Sequence, residues 1–125
     1  MPTPGTVQEW IVDAYGCTGD LNNLERLEKL SREALEKIGA NVVAKAEHRF
    51  HPHGLTLCLI LKESHFIIST WPEYKMVIMN IFLCNPKMNP SEVWEYFARE
   101  FSPSKVIVNK VNHLLADKLE QKNAA

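Results

Sequence analysis

The sequence has almost no net charge. Its 125 residues include 14 lysines and arginines against 15 aspartates and glutamates, which gives a formal net charge of −1. A chain without an overall basic field is not expected to bind nucleic acid or an anionic membrane surface through long-range electrostatics. We therefore expect the partner to be a small molecule or another protein.

Long apolar runs are also missing. No stretch approaches the roughly 20 apolar residues that a membrane-spanning helix needs, and no charged-then-apolar signal pattern opens the chain. We therefore expect a cytoplasmic protein. The length suits one domain over residues 1–125, with residues 1–5 as a loose leader and 114–125 as a polar tail.

Cysteine is scarce and unevenly spaced. Cys17, Cys58 and Cys84 are odd in number and form no CxxC pair, so neither a disulfide framework nor a cysteine zinc site is indicated. Each is then a buried small hydrophobe or a reactive thiol. The histidines of segment 48–53 lack a cysteine or carboxylate at ligand spacing, so we expect a polar loop there and no metal.

Hydrophobic periodicity predicts six strands and two helices. The strands cover 7–15, 41–50, 55–62, 66–71, 76–84 and 105–111, and the helices cover 22–38 and the segment from 89 to 101. Asp20 or Asn22 is expected to cap the first helix and Gly39 to end it. The second helix starts at Asn89-Pro90-Ser91.

This order of elements favours one fold class. Strand, helix, four strands, helix and strand are typical of an α+β two-layer sandwich, an antiparallel-rich sheet with both helices on one face. The second face of such a sheet is left uncovered. Dimerisation would cover it.

One junction between strands carries an unusual cluster. Glu63, Ser64 and His65 place a carboxylate, a hydroxyl and an imidazole in consecutive positions, which breaks the apolar–polar alternation of a strand and implies a turn. From spacing alone, a solvated hairpin connection explains this pattern better than a functional site does.

Several segments together resemble one family, the small prokaryotic pyruvoyl-dependent S-adenosylmethionine decarboxylases. The similarity rests on Glu63-Ser64-His65, on Thr70-Trp71-Pro72-Glu73, on Phe82-Leu83-Cys84, on Asp13-Ala14-Tyr15-Gly16-Cys17, and on Phe50, Pro52, Gly54 and Thr56 at alternate positions. It extends over roughly residues 9–101 and supports the same two-layer fold.

The resemblance implies a self-processing enzyme. The chain would be cut between Glu63 and Ser64, and Ser64 would become a pyruvoyl group at the new terminus, so that no external cofactor is required. Its ketone would form a Schiff base with S-adenosylmethionine and act as the electron sink for decarboxylation to the aminopropyl donor of spermidine synthesis. A homodimer or higher homo-oligomer is also implied.

Individual roles follow only from matched positions. The resemblance assigns Cys84 as the general acid, Thr56 as a hydroxyl that assists processing, Phe50 as the adenine-stacking ring, Trp71 as a substrate-binding residue, Glu73 as the ligand of the ribose hydroxyls, and Glu63 and His65 as parts of the cleavage motif. Ordinary strand or core residues of these types are equally compatible with the pattern alone.

The chain departs from the family at three positions. Ser69 stands where relatives carry the histidine that removes a proton during processing, Asn80 where many have aspartate, and Glu9 where many have histidine. A hydroxyl is a far weaker base than an imidazole. Three outcomes remain open for processing: His65 or a histidine of segment 48–53 takes over, processing stalls, or the chain is an unprocessed non-catalytic homologue. For the substrate, arginine or ornithine is the alternative.

Overall fold

The structure, a computed structural model, describes residues 6–62 and 64–115. Within these residues, six antiparallel strands form one sheet in the order β2-β3-β4-β5-β1-β6, and two α-helices complete the fold with a short 3₁₀ helix at Pro72–Tyr74. The elements are β1 (Thr6–Tyr15), α1 (Leu24–Lys37), β2 (Val42–Arg49), β3 (Leu55–Leu61), β4 (His65–Trp71), β5 (Met76–Leu83), α2 (Pro90–Phe101) and β6 (Lys105–Leu114). The predicted α+β sandwich is confirmed.

Strict alternation along the central strands gives the sheet two different faces. One face is fully buried against the apolar stripes of the two helices and includes Val12, Leu57, Leu59, Phe66, Ile68, Met79 and Ile81. The residues between them point to the opposite face, which no described element covers. That open face carries Ile11, Cys58, Ile60, Ile67, Ile78, Phe82, Ile107 and Val111 beside several polar groups.

The start of α1 differs from the prediction. Asn23 caps the helix, because its side-chain oxygen accepts from the amide of Arg26 at 3.0 Å. The two predicted caps are used elsewhere: Asp20 accepts from the amide of Asn22, and the Asn22 side chain accepts from the amide of Gly54. The Asn22 bond ties the start of α1 to the loop before β3.

The other helix boundaries follow the sequence signals. Gly39 follows the last turn of α1 with φ at +80°, a backbone conformation that glycine adopts without strain. Asn89 caps α2 by accepting from the amide of Ser91, and Pro90 occupies the first turn. Neither helix in the described part of the chain is long and apolar enough to cross a membrane.

The last strand is longer than predicted. β6 pairs with β1 over its whole length, from Lys105 opposite Tyr15 to Leu114 opposite Thr6. Leu114 therefore belongs to the sheet and not to a polar tail. The apolar pattern was too weak to show this, because every residue of this edge strand is exposed. Residues 1–5, which are the predicted leader, and residues 116–125 of the predicted tail lie outside the described residues.

We expect truncation of Phe97 to destabilise the fold strongly. Its ring is fully buried, and it lies 5.5 Å from the ring of Phe66 and 5.6 Å from that of Phe101. Removing a buried phenylalanine costs about 3–5 kcal/mol, so Phe97→Ala should lower the free energy of unfolding in urea by that amount. Tyr74→Ala is the control, since Tyr74 is 73% exposed. Equal losses in both variants would contradict the assigned core.

Candidate active site

The structure separates the predicted site residues into two clusters at opposite ends of β4. The Ser64 cluster consists of Ser64, His65 and Cys84, and the Thr56 cluster of Phe50, Thr56, Ser69, Trp71 and Glu73. Ser64 and Ser69 are five residues apart along an extended chain, which corresponds to about 16 Å. Within one copy of the chain, a small molecule held by one cluster does not reach the other.

Ser64 lies where β3 returns into β4. The amide of Leu61 donates to the carbonyl of Ser64 at 2.9 Å, which holds the end of β3 against the start of β4. Ser64 lines a cavity of about 250 Å³ together with Asn41, Leu61, Met88 and neighbouring residues. Ser64 is partly exposed and thus has open space beside it. Glu63, the other half of the predicted cleavage point, is outside the described residues.

Cys84 belongs to the same end of the sheet. It directly follows β5, whose residue Phe82 pairs with His65 of β4. Cys84 is partly buried and forms no disulfide. Cys84 therefore lies just past the end of β5, the strand that pairs with β4, and at the end of the sheet where the predicted cleavage motif stands.

The Thr56 cluster is built on a cross-strand pair. Thr56 of β3 and Ser69 of β4 stand directly opposite each other, and their hydroxyl oxygens are 2.8 Å apart. They line a cleft of about 330 Å³ with Phe50, Trp71 and Glu73, a size within the range of about 300–1,000 Å³ that is typical of small-molecule sites. Phe50 is 51% exposed and Trp71 37% exposed, so both rings are available to a ligand.

His53 is a member of this cleft that sequence reasoning did not assign. Its Nε2 lies 2.6 Å from Oε2 of Glu73, the carboxylate predicted to bind ribose. His48 instead packs edge-on against the ring of Phe50. Among the described residues, no group of three or more histidine, cysteine, aspartate or glutamate side chains is placed to hold a metal ion. One sequence signal could have identified His53 as a residue of this cleft. His53 stands beside Gly54, within the same motif that supplies Phe50 and Thr56.

A chain of polar side chains crosses the open face from the Ser64 cluster. Nε2 of His65 lies 2.6 Å from Oδ1 of Asn80, and Nδ2 of Asn80 donates to Oε2 of Glu9. Oε1 of Glu9 lies 2.9 Å from Nε2 of His113. The ring of Phe82 contacts both imidazoles, with centroids 5.1 Å and 5.6 Å away. Two of the departures from the family pattern, Glu9 and Asn80, therefore contact each other. His113 was missed because it was placed beyond the predicted end of the last strand.

Glu9 should make the fold sensitive to acid. The hydrogen bond from Asn80, then that from His113, lowers the pKa of Glu9 below its ordinary value of 4.5. A carboxyl with a lowered folded pKa stabilises the fold above its unfolded pKa, and this stability is lost as pH falls through the folded pKa. The difference in unfolding free energy between the parent and Glu9→Gln should therefore shrink from pH 7 to pH 3.5 in urea titrations. If the difference in unfolding free energy is the same at both pH values, Glu9 does not contribute this acid sensitivity.

Comparisons with known proteins identify the family. The sequence profile of the S-adenosylmethionine decarboxylase family matches residues 8–113. A Thermosipho melanesiensis protein named S-adenosylmethionine decarboxylase proenzyme is 34% identical over 105 residues, which cover 83% of this chain and 79% of that relative. A Clostridium kluyveri protein of the same name is 29% identical over 116 residues, 92% of each chain.

A solved structure shows the same fold. The crystal structure of the adenosylmethionine decarboxylase from Aquifex aeolicus superposes with a TM-score of 0.73 at 22% identity, covering 90% of this chain and 92% of that one. The fold, the sequence profile and the relatives agree over nearly the whole described chain. The chain belongs to the S-adenosylmethionine decarboxylase family.

Proposed function

We propose that this protein is a self-cleaving, pyruvoyl-dependent decarboxylase of S-adenosylmethionine, which makes the aminopropyl donor for spermidine synthesis. The observation that carries the proposal is Ser64, retained at the junction of β3 and β4 beside an open cavity in a chain of this family. His65 and Cys84 lie at the same end of the sheet.

Self-cleavage needs only groups of the chain itself. The Ser64 hydroxyl attacks the carbonyl of Glu63, and the peptide bond becomes an ester. Elimination then opens the ester and leaves Ser64 as the start of the second fragment. The partly exposed position of Ser64 and the cavity beside it suit the smaller pyruvoyl group. Once formed, the pyruvoyl ketone supplies the electron sink for loss of carbon dioxide from a bound amine.

The side chains of the two clusters have different roles. Cys84, at the Ser64 end, returns a proton to the substrate carbon after decarboxylation. The Thr56 cluster binds the nucleoside: the exposed ring of Phe50 stacks on adenine beside Trp71, and Glu73 accepts hydrogen bonds from the ribose hydroxyls. Thr56 assists processing of Ser64 in a second copy of the chain through its hydroxyl, which already contacts Ser69.

A homodimer would bring the two clusters together. The uncovered sheet face is rich in apolar side chains, including Ile60 at 45%, Ile107 at 40% and Val111 at 40% exposure, and it needs a cover of similar character. Stacked sheets lie about 10 Å apart. A two-fold axis between the sheets and across the strands would place the Ser64 cluster of one copy over the Thr56 cluster of the other.

Two contacts bear on alternatives to this proposal, one for the substrate and one for the function. His53 already holds one oxygen of Glu73, which leaves only the other oxygen for a ribose diol. This contact weakens the nucleoside assignment and leaves arginine or ornithine as the second candidate substrate. Ser69, the replacement for the processing histidine, is hydrogen-bonded to Thr56 and is a weak base. This contact favours an unprocessed homologue.

Intact mass spectrometry of the purified protein, followed by a carbon dioxide release assay, tests the proposal. We expect two fragments that separate before Ser64, the second lighter than its serine form by one ammonia. Carboxyl-labelled S-adenosylmethionine should then release labelled carbon dioxide faster than labelled arginine or ornithine. A chain that stays whole on long incubation would overturn the self-cleaving enzyme, and a preference for either amino acid would overturn the substrate.

A further inference from the structure

The polar chain that starts at His65 has a fixed direction of hydrogen bonding. The ionised carboxylate of Glu9 can only accept hydrogen bonds. Asn80 must therefore present its amide NH₂ to Glu9, as the contact from Nδ2 to Oε2 requires. Its carbonyl oxygen, Oδ1, is then the atom that faces His65.

This direction determines the tautomer of His65. Oδ1 of Asn80 is an acceptor, so Nε2 of His65, at 2.6 Å, must carry the proton. In the neutral ring, the lone pair then lies on Nδ1. Nδ1 is bonded to Cγ and is the ring nitrogen nearer to the residue's own backbone, which continues directly into Ser64. The basic nitrogen is thus the ring nitrogen nearer to the peptide bond that joins His65 to Ser64.

We infer that Glu9 and Asn80 are positioning residues, which hold His65 with a basic Nδ1 so that it serves as the base for self-cleavage. The inference rests on the proposed function and identifies the group that replaces the missing histidine. The departures at positions 9, 69 and 80 then belong to one rearrangement. The base moves from one end of β4 to the other, and two new residues orient it.

The step that His65 serves is the elimination that opens the ester. Nδ1 of His65 takes the proton from Cα of Ser64, and the C–H electron pair becomes the Cα=Cβ double bond. The Cβ–Oγ bond breaks and its electrons leave with Oγ, which becomes part of the carboxylate of Glu63. The new amino terminus is dehydroalanine, which takes up water and loses ammonia to give the ketone. No oxidant or reductant is needed.

Ser69 cannot replace the histidine as base. It lies about 16 Å along β4 from Ser64 of its own copy, its hydroxyl contacts Thr56, and in the proposed dimer it would offer the other copy only a hydroxyl, which is a far weaker base than an imidazole. His65, by contrast, is covalently next to Ser64. The ring of Phe82 packs against His65 on the open face, and His113 holds the second oxygen of Glu9. These contacts limit rotation of the imidazole and of the carboxylate that orients it through Asn80.

Nitrogen NMR tests the positioning without any catalytic activity. The Ser64→Ala protein, labelled with ¹⁵N-histidine, stays in one covalent state and reports which ring nitrogen of His65 is protonated near pH 8. We expect only the Nε2–H form. Glu9→Gln in the same background lets the amide of Asn80 turn around, since glutamine can donate as well as accept, and the Nδ1–H form should appear. Glu47→Gln, an exposed carboxylate on β2, is the matched control.

A second substitution should restore the tautomer. In Glu9→Gln with Asn80→Asp, the new amide donates to the new carboxylate, and the carboxylate accepts from Nε2–H of His65. The double variant should again show only the Nε2–H form. Reversal of this kind separates a positioning role from general damage to the fold.

The rate of self-cleavage in proteins that retain Ser64 tests the catalytic half of the inference, which is that His65 serves as the base. A wrong histidine tautomer can lower a catalytic rate by up to about 10⁴-fold where a carboxylate contacts the ring directly. Here Glu9 acts through Asn80, and we expect Glu9→Gln to lower the rate of self-cleavage by at least about tenfold. The double variant should recover most of the rate, and Glu47→Gln should cleave like the parent. If the tautomer does not respond to Glu9→Gln, or if it changes while the cleavage rate does not, the inference is wrong although the proposed function stands. A parent chain that never cleaves overturns the proposed function and the catalytic half with it, whatever the NMR shows.

Discussion

Ser64→Ala is expected to abolish both self-cleavage and decarboxylation. Without the hydroxyl, no ester can form at the Glu63 carbonyl, and without the ester no pyruvoyl group arises to withdraw electrons from the substrate. The variant should remain a single chain of full mass for as long as it is incubated. Release of labelled carbon dioxide should fall below detection, because no other group of the described chain offers a ketone.

The fold should not be affected by this substitution. Ser64 is partly exposed beside its cavity, so the loss of one oxygen leaves the core intact. Circular dichroism and urea unfolding should match those of the uncleaved parent. Ser91→Ala, a serine in the first turn of α2 far along the chain, is the matched control and should cleave and turn over normally. Decarboxylation by the Ser64→Ala protein would exclude a pyruvoyl mechanism.

Mixed dimers should regain about half of the activity that each variant loses on its own. Cys84→Ala removes the proposed proton donor, with an expected loss of about 10²–10⁴-fold. Glu73→Ala removes a charged hydrogen-bond acceptor at the nucleoside end, which costs about 10- to 100-fold in kcat/KM. If each site takes one cluster from each copy, a dimer with one copy of each variant has one intact site, so about half the activity of the native dimer should return.

Two different affinity tags on the coexpressed variants allow the mixed dimer to be purified and assayed. A mixed dimer of two differently tagged Cys84→Ala copies is the control and should stay inactive. Activity of the Cys84→Ala and Glu73→Ala pair no higher than the mean of its parents would show that the two clusters do not complement each other across an interface. The single-copy distance of about 16 Å would then require another explanation.

Most of the fold could be predicted because its signals are local. Leu55, Leu57, Leu59 and Leu61 alternate in β3 and all are buried, and the stripe of α1 recurs at three and four residue steps. The end of β6 could not be predicted in this way. An edge strand with both faces exposed has no apolar period, and its length is set by β1, its partner about 100 residues earlier in the sequence.

The site was harder to predict than the fold. Motif similarity identified most members of both clusters, and it singled out Glu9 and Asn80 as unusual. It did not show that these two residues contact each other, or that His53 reaches Glu73. Each such contact joins strands or loops that meet only through sheet order and register. Side chains far apart in sequence, such as Glu9 and His113, become neighbours for that reason.

The order of strands in the sheet would decide what happens to the chain after the proposed cleavage. The first fragment would contain β1, α1, β2 and β3, and the second β4, β5, α2 and β6. Three of the five strand pairings in the described sheet join one fragment to the other: β3 with β4, β1 with β5, and β1 with β6. Since β1 is inserted between two strands of the second fragment, the halves are interleaved. Cleavage would open the chain at Ser64 while these pairings hold the two fragments together, and the fragments would separate only when the sheet unfolds.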